Sequence, residues 1–212
     1  MLQALRERYY DVLATVYIYN EYQAYTGLER LLFAIRQKFP LETEFIAAVE
    51  KHFRDERKHY LMFKRYFQSE GKLPFTVEAT YGYIDQFVLL IFGRSIEDLE
   101  PAEILEHDDL FFQLCRLIMM TEFRGMKQVD TLLRSRLVRQ NPKLVRIFRV
   151  IERDEPSHCL PYQQWLRQRG SHTPGFRERF TDIWIHYSLV LLKLPLLFLN
   201  PWLPRRQVFL DA

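Results

Sequence analysis

Apolar positions recur along most of this chain at the three-and-four spacing of helices that bury one face. From about Leu2 to Phe39 the stripe Ala14, Tyr17, Glu21, Ala24, Leu28, Leu31 keeps that spacing and stops at Pro40. A second run opens near Leu41, carries Phe45, Val49, Glu56, His59, Phe63 and Tyr66, and ends at Ser69 before Gly71. A third starts near Pro101 and reaches Arg139 through Cys115, Ile118, Glu122, Gly125, Val129 and Leu132. After the Asn141-Pro142 turn, a fourth places Leu144, Phe148, Glu155, His158, Tyr162 and Trp165 on one face and extends to about Arg169. Residues 71–100 form a connector that begins with a Gly-Lys-Leu-Pro break and includes an apolar helical piece from Val77 to Phe92. The pattern predicts an all-α fold. Residues 1–172 form a four-helix bundle whose long crossover joins parallel second and third helices. Residues 173–212 add an apolar C-terminal helix and tail.

The two halves repeat one another. An offset of 101 residues lays Glu21 on Glu122, Ala24 on Gly125 and Leu31 on Leu132. An offset of 99 lays Asp55-Glu56-Arg57-Lys58-His59 on Asp154-Glu155-Pro156-Ser157-His158, and Phe63 on Tyr162. The chain reads as a duplicated helical hairpin in which each apolar stripe carries a glutamate. Two of the four also carry a histidine three residues on, on the same face. A carboxylate in an apolar stripe costs several kcal/mol unless its charge is compensated. No lysine or arginine lies on these stripes to do so, whereas a pair of divalent cations would balance four carboxylates.

On these residues the chain resembles the ferritin-like di-iron carboxylate superfamily over roughly residues 10 to 168. There, two helices each give a Glu and two give a Glu-x-x-His. The resemblance implies that Glu21, Glu56 and His59 serve one metal and Glu122, Glu155 and His158 the other, with Glu56 and Glu155 bridging. Asp55 and Asp154 would accept hydrogen bonds from the non-ligating histidine nitrogens and fix their tautomers. The implied cofactor is two iron ions, with manganese or a mixed pair as alternatives. The implied activity is that of an O2-activating oxidoreductase, an oxygenase or oxidase acting on a small, apolar organic substrate. Electrons would come from an external donor, a reductase or ferredoxin-like protein, since the chain carries no Cys-x-x-Cys module and no flavin motif. Two rivals stand beside it: a ferroxidase or peroxide scavenger of ferritin or rubrerythrin type, and a non-catalytic bundle held together by its metals.

Several residues border the expected site. Pro156 lies between two ligands and Pro161 just after them, so the fourth helix should kink or widen there. That distortion either opens a coordination position or is a kink absorbed by packing. Ala24 and Gly125 leave room for dioxygen or substrate, or permit close helix crossing. His52, one turn before Glu56, is an additional ligand, a proton relay or a hydrogen-bonded core residue. Tyr17 and Tyr162 are electron carriers or core packing.

Composition adds less. A formal net charge of +3 does not argue for nucleic acid. The basic run Arg134, Arg136, Arg139, Lys143, Arg146, Arg149 is a solvated face or a docking surface for an acidic redox partner. Cys115 and Cys159 suggest no disulfide framework, which fits a reducing cytoplasm. Met1 to Arg8 lacks the apolar run of a signal peptide. Residues 183–203 are almost continuously apolar but are interrupted by His186, Lys193 and Pro195. They are nominally long enough to span a bilayer, a reading that Lys193 and Pro195 weaken. They are expected rather to pack on the bundle, to bury a homo-oligomer surface, or to meet a membrane interface through 183–206 with Arg205 and Arg206 at the headgroups.

Overall fold

The computed structural model describes residues 2–200 and 205–209. The fold is all-α. Helix α1 spans Leu2–Lys38, α2 Thr43–Ser69, α3 Tyr83–Phe92 and α4 Pro101–Glu106. Then follow α5 Asp108–Arg134, α6 Arg136–Arg139, α7 Pro142–Asp154, α8 Pro156–Gln168 and α9 Phe176–Ser188. A π-helical turn, Leu189–Lys193, leads into α10, Leu194–Leu199. The expected connector helix is α3 with a short 3-10 turn, Ala79–Tyr81, before it.

Two expected continuous helices are divided. The third run breaks at His107 and at Ser135, both of which leave helical geometry for extended backbone. The fourth is interrupted at Glu155, where Pro156 has no N–H to give. His158 N–H bonds the Glu155 carbonyl at 2.9 Å in place of that of Asp154, and the Ser157 hydroxyl donates to the freed Asp154 carbonyl at 2.7 Å. Glu155 itself stays right-handed, so the stripe crosses the break with its phase kept. The expected stops hold at Gly71 and Gly170, both left-handed, at φ 63° and 67°. In each case the N–H three places past the helix reaches back to close the last turn, Lys72 to Phe67 and Ser171 to Leu166.

Helix α1 packs along α2, and α5 along α7 and α8, while α2 also meets α7 and α8. The core between them divides into two apolar clusters. One contains Leu28, Phe45, Val49, Phe111, Leu114, Tyr162 and Trp165. The other contains Tyr10, Ala14, Phe63, Val129, Leu144 and Phe148. Along each of the four helical runs the stripe glutamate and its histidines fall between the two clusters, so apolar side chains flank them at both ends. Helix α9 lies against α3 and α5, and α10 against α1. Pro201 and Pro204 lie outside the described residues; beyond them Arg206 pairs with Phe75.

Candidate metal centre

Each polar side chain of the centre reaches it from a different turn of an apolar stripe. Glu21, Glu56, His59, Glu122, Glu155 and His158 are all buried, the two histidines completely. Glu56 lies in the middle. Its Oε1 is 3.0 Å from His158 Nδ1, 3.4 Å from His52 Nε2 and 3.8 Å from His59 Nδ1. Glu21 Oε2 approaches His59 Nδ1 at 3.4 Å, and Glu122 Oε1 approaches His52 Nε2 at 3.5 Å. Two groups result, each with ligand atoms within 4.8 Å of one another: Glu21, Glu56 and His59, and His52, Glu56, Glu122 and His158. Glu155 stands beside Glu122 and carries a buried, unpartnered Oε2.

The outer ring is crossed. Asp154 meets His59 Nε2 at 3.1 Å, and Asp55 meets His158 Nε2 at 3.3 Å. The Lys58 ammonium joins the two aspartates at 2.6 and 2.7 Å, and Lys51 adds a contact to Asp55 at 2.5 Å and to Ser157 at 2.8 Å. Sequence reasoning missed both lysines. Their spacing to Asp55, four and three residues, is the signal that could have found them.

Electrostatics in the centre are those of too many acids in one place. Burial lifts Glu21 well above the usual carboxylate range, and the Glu56 carboxylate adds to the effect. Glu155 is lifted by burial and then by Glu122 and Glu56. Burial also opposes ionisation of Glu56, but hydrogen bonding and charge from His158 and His52 outweigh it and hold this acid low. Burial works against a charge on His158, yet Asp55 and Glu56 push it up to about 10. A bound cation would offset the same crowding of negative charge.

The donor set fits a bound metal. His52 Nε2, His59 Nδ1, His158 Nδ1 and Glu155 Oε2 are buried without a hydrogen-bond partner among the described residues. Buried polar atoms are rarely left unsatisfied. The three imidazole nitrogens belong to the two groups that share Glu56, and imidazole and carboxylate are donors that suit a divalent metal. Of the readings open for His52, its Nε2 faces two carboxylates, its ring stacks on His158 with centroids 4.2 Å apart, and its Nδ1 meets the Tyr162 hydroxyl at 3.4 Å.

Ala24 and Gly125 border the centre as expected. With Tyr17, Leu114 and Ile118 they line a mostly apolar cavity of about 110 Å³ walled on one side by the four glutamates. The Tyr17 hydroxyl is buried without a partner among the described residues. Val16, Tyr17, Arg124, Gln128 and Leu189 also line a neighbouring groove of about 660 Å³ beneath Leu194, Pro195 and Phe198. Cys159 is buried, and its thiol lies against the Pro156 carbonyl.

No protein-family model, curated protein or solved structure matches the chain.

Proposed function

We propose that α1, α2, α5 and the α7–α8 pair form a ferritin-like four-helix bundle, crossed over through α3, whose centre holds two metal ions. Glu21, Glu56 and His59 would hold one. His158 and Glu122 would hold the other, with Glu155 and, beyond the expected six, His52. The observation that carries this reading is the group of unpartnered donor atoms gathered around Glu56.

The metal pair we assign is iron, and the function an O2-activating oxidoreductase acting on a small, apolar organic molecule. Two ferrous ions would supply the electrons that reduce dioxygen; an external donor would restore them. The chain's own part is to hold and to exclude. The two apolar clusters keep bulk water from the acids. Asp55 and Asp154 turn the histidine lone pairs inward. The cavity beside Ala24 and Gly125 has room only for a small group against the glutamates, and the groove offers an apolar route to it.

Anaerobic titration with Fe(II), followed by oxygen admission in an oxygen electrode, tests the proposal. Two irons per chain and consumption of oxygen are expected, and Glu56→Ala, which touches both groups, should lose both. A wild-type protein that takes no iron, or a Glu56→Ala variant that still holds two, overturns the metal reading. Iron uptake far beyond two per chain replaces the oxygenase by a ferroxidase.

A further inference from the structure

A surface helix normally turns its apolar stripe to the core and its charges to water. The C-terminal helix, Phe176–Leu199, does the reverse. Its two acids and His186 recur every fourth position, at 178, 182 and 186, and point inward. Glu178 is 2 % exposed and paired with Arg116 at 3.0 Å. Asp182 is bound by Tyr83 and Arg124. His186 meets Gln128 at 3.3 Å, and the Lys193 ammonium donates to the Thr80 carbonyl at 2.7 Å. Outward stand Phe176, Phe180, Ile183, Trp184 and Tyr187 in the first half and Leu191, Leu192, Leu196 and Leu199 in the second. Leu89 and Leu90 of the neighbouring α3 extend the same face. Only 22 % of the most apolar window of this helix is buried.

We infer that this face seats the protein on an anionic lipid surface, with the helix lying in the interface plane. Charge selects this occupant. Both carboxylates of the helix are consumed inside, while Arg177 and Arg179 stand outward and face no carboxylate among the described residues. A second copy of the chain would bring the same two arginines against a like-charged face. Aromatics beside the arginines also suit the headgroup level at which such a helix lies. The inward ion pairs fasten the helix to α3 and α5, which is why it lies on the membrane and does not cross it. Arg206, expected at the headgroups, pairs with Asp11 at 2.8 Å.

The groove that neighbours the cavity runs beneath Val190, Leu194 and Leu199 of this helix, so an apolar substrate dissolved in the lipid would enter without crossing water. That last consequence rests on the proposed oxygenase; the membrane contact does not.

Vesicle flotation separates the two. Full-length protein, metal-free and iron-loaded, is floated with vesicles of phosphatidylcholine alone or mixed with phosphatidylglycerol. Equal binding of both protein forms to the mixed vesicles is expected. Arg177→Gln with Arg179→Gln should weaken it by about 25-fold, since each cation near an anionic surface contributes about fivefold. Phe180→Ser with Trp184→Ser and Leu191→Ser should abolish it, with the wild-type circular dichroism kept. Should that triple variant misfold, quenching of wild-type tryptophan emission by brominated lipid, reduced in Trp184→Phe, reads the same contact. Wild-type protein that fails to float with the mixed vesicles overturns the inference. So does a dimer in lipid-free buffer that the triple variant splits while neither form floats.

Discussion

The carboxylate of Asp154 lies 3.1 Å from Nε2 of His59, so an acid from one half of the duplicated pattern orients a histidine from the other. Asp154 is held below its ordinary pKa: burial opposes this, but Lys58 and His59 prevail. It is therefore an anion and accepts, which places the imidazole proton on Nε2 and leaves the Nδ1 lone pair facing Glu21 and Glu56. Asp154→Asn removes that anion while keeping the volume. Affinity for Mn(II) or Fe(II) should fall about 10- to 100-fold with the far-UV spectrum unchanged. Calorimetric titration of the metal-free protein measures it, and an unchanged affinity would mean that the pair is structural only.

Lys58 is the single cation shared by Asp55 and Asp154. Its duplicate, Ser157, is neutral, so the pair of aspartates depends on one side of the repeat. The ammonium is partly exposed, which limits its contribution. Lys58→Met should lower stability by about 1 kcal/mol and leave the aspartates repelling across the gap. Denaturant unfolding of the metal-free protein at low salt shows the loss, and high salt should shrink it.

The glutamates and their paired histidines were legible because each interrupts an apolar stripe at a position that the second half repeats. His52 was ambiguous for the opposite reason: its counterpart is Ile151, so no twin testified for it. The Lys58 bridge to Asp154 joins residues 96 apart, and local spacing does not reveal such a contact. The break at Ser135 has neither proline nor glycine beside it, and nothing in the structure explains it. The π turn at Leu189–Lys193 has its cause in plain view, since Pro195 cannot donate to the turn before it. For the C-terminal helix, the four-residue spacing of Glu178, Asp182 and His186 was readable, but not which face would meet the body. That choice was made by Arg116, Arg124 and Tyr83, which lie far away in the chain.

Asp85 gives the fold a pH dependence of its own, away from the metal centre. Burial raises its carboxyl to about 6, the Tyr19 hydroxyl at 3.1 Å works the other way, and Glu97 adds to the rise. An acid whose folded pKa lies above its unfolded value favours folding while it is protonated. Stability is therefore lost as pH climbs from about 4 to above 6, by roughly 3 kcal/mol at most. Asp85→Asn removes the titration. Compared with the wild type, the variant should gain nothing near pH 4 and become progressively more stable toward pH 7. Paired thermal melts across that range check the sign, and a gap that narrows with rising pH would refute it.

Gly125 sits in the middle of α5, where glycine costs a helix about 0.5–1 kcal/mol relative to alanine. A Cβ built there would lie 3.6 Å from Glu155 Oε1, an ordinary contact that displaces nothing. The glycine is therefore not needed for folding, and its place on the cavity wall is where the missing side chain matters. Gly125→Ala should raise stability by about 0.5–1 kcal/mol and keep the metal content. Gly125→Leu fills the space beside the four glutamates, so it should hold metal yet slow oxygen consumption that depends on an organic substrate. If the leucine variant turns over such a substrate as fast as the alanine variant, the cavity is not where the substrate meets the centre.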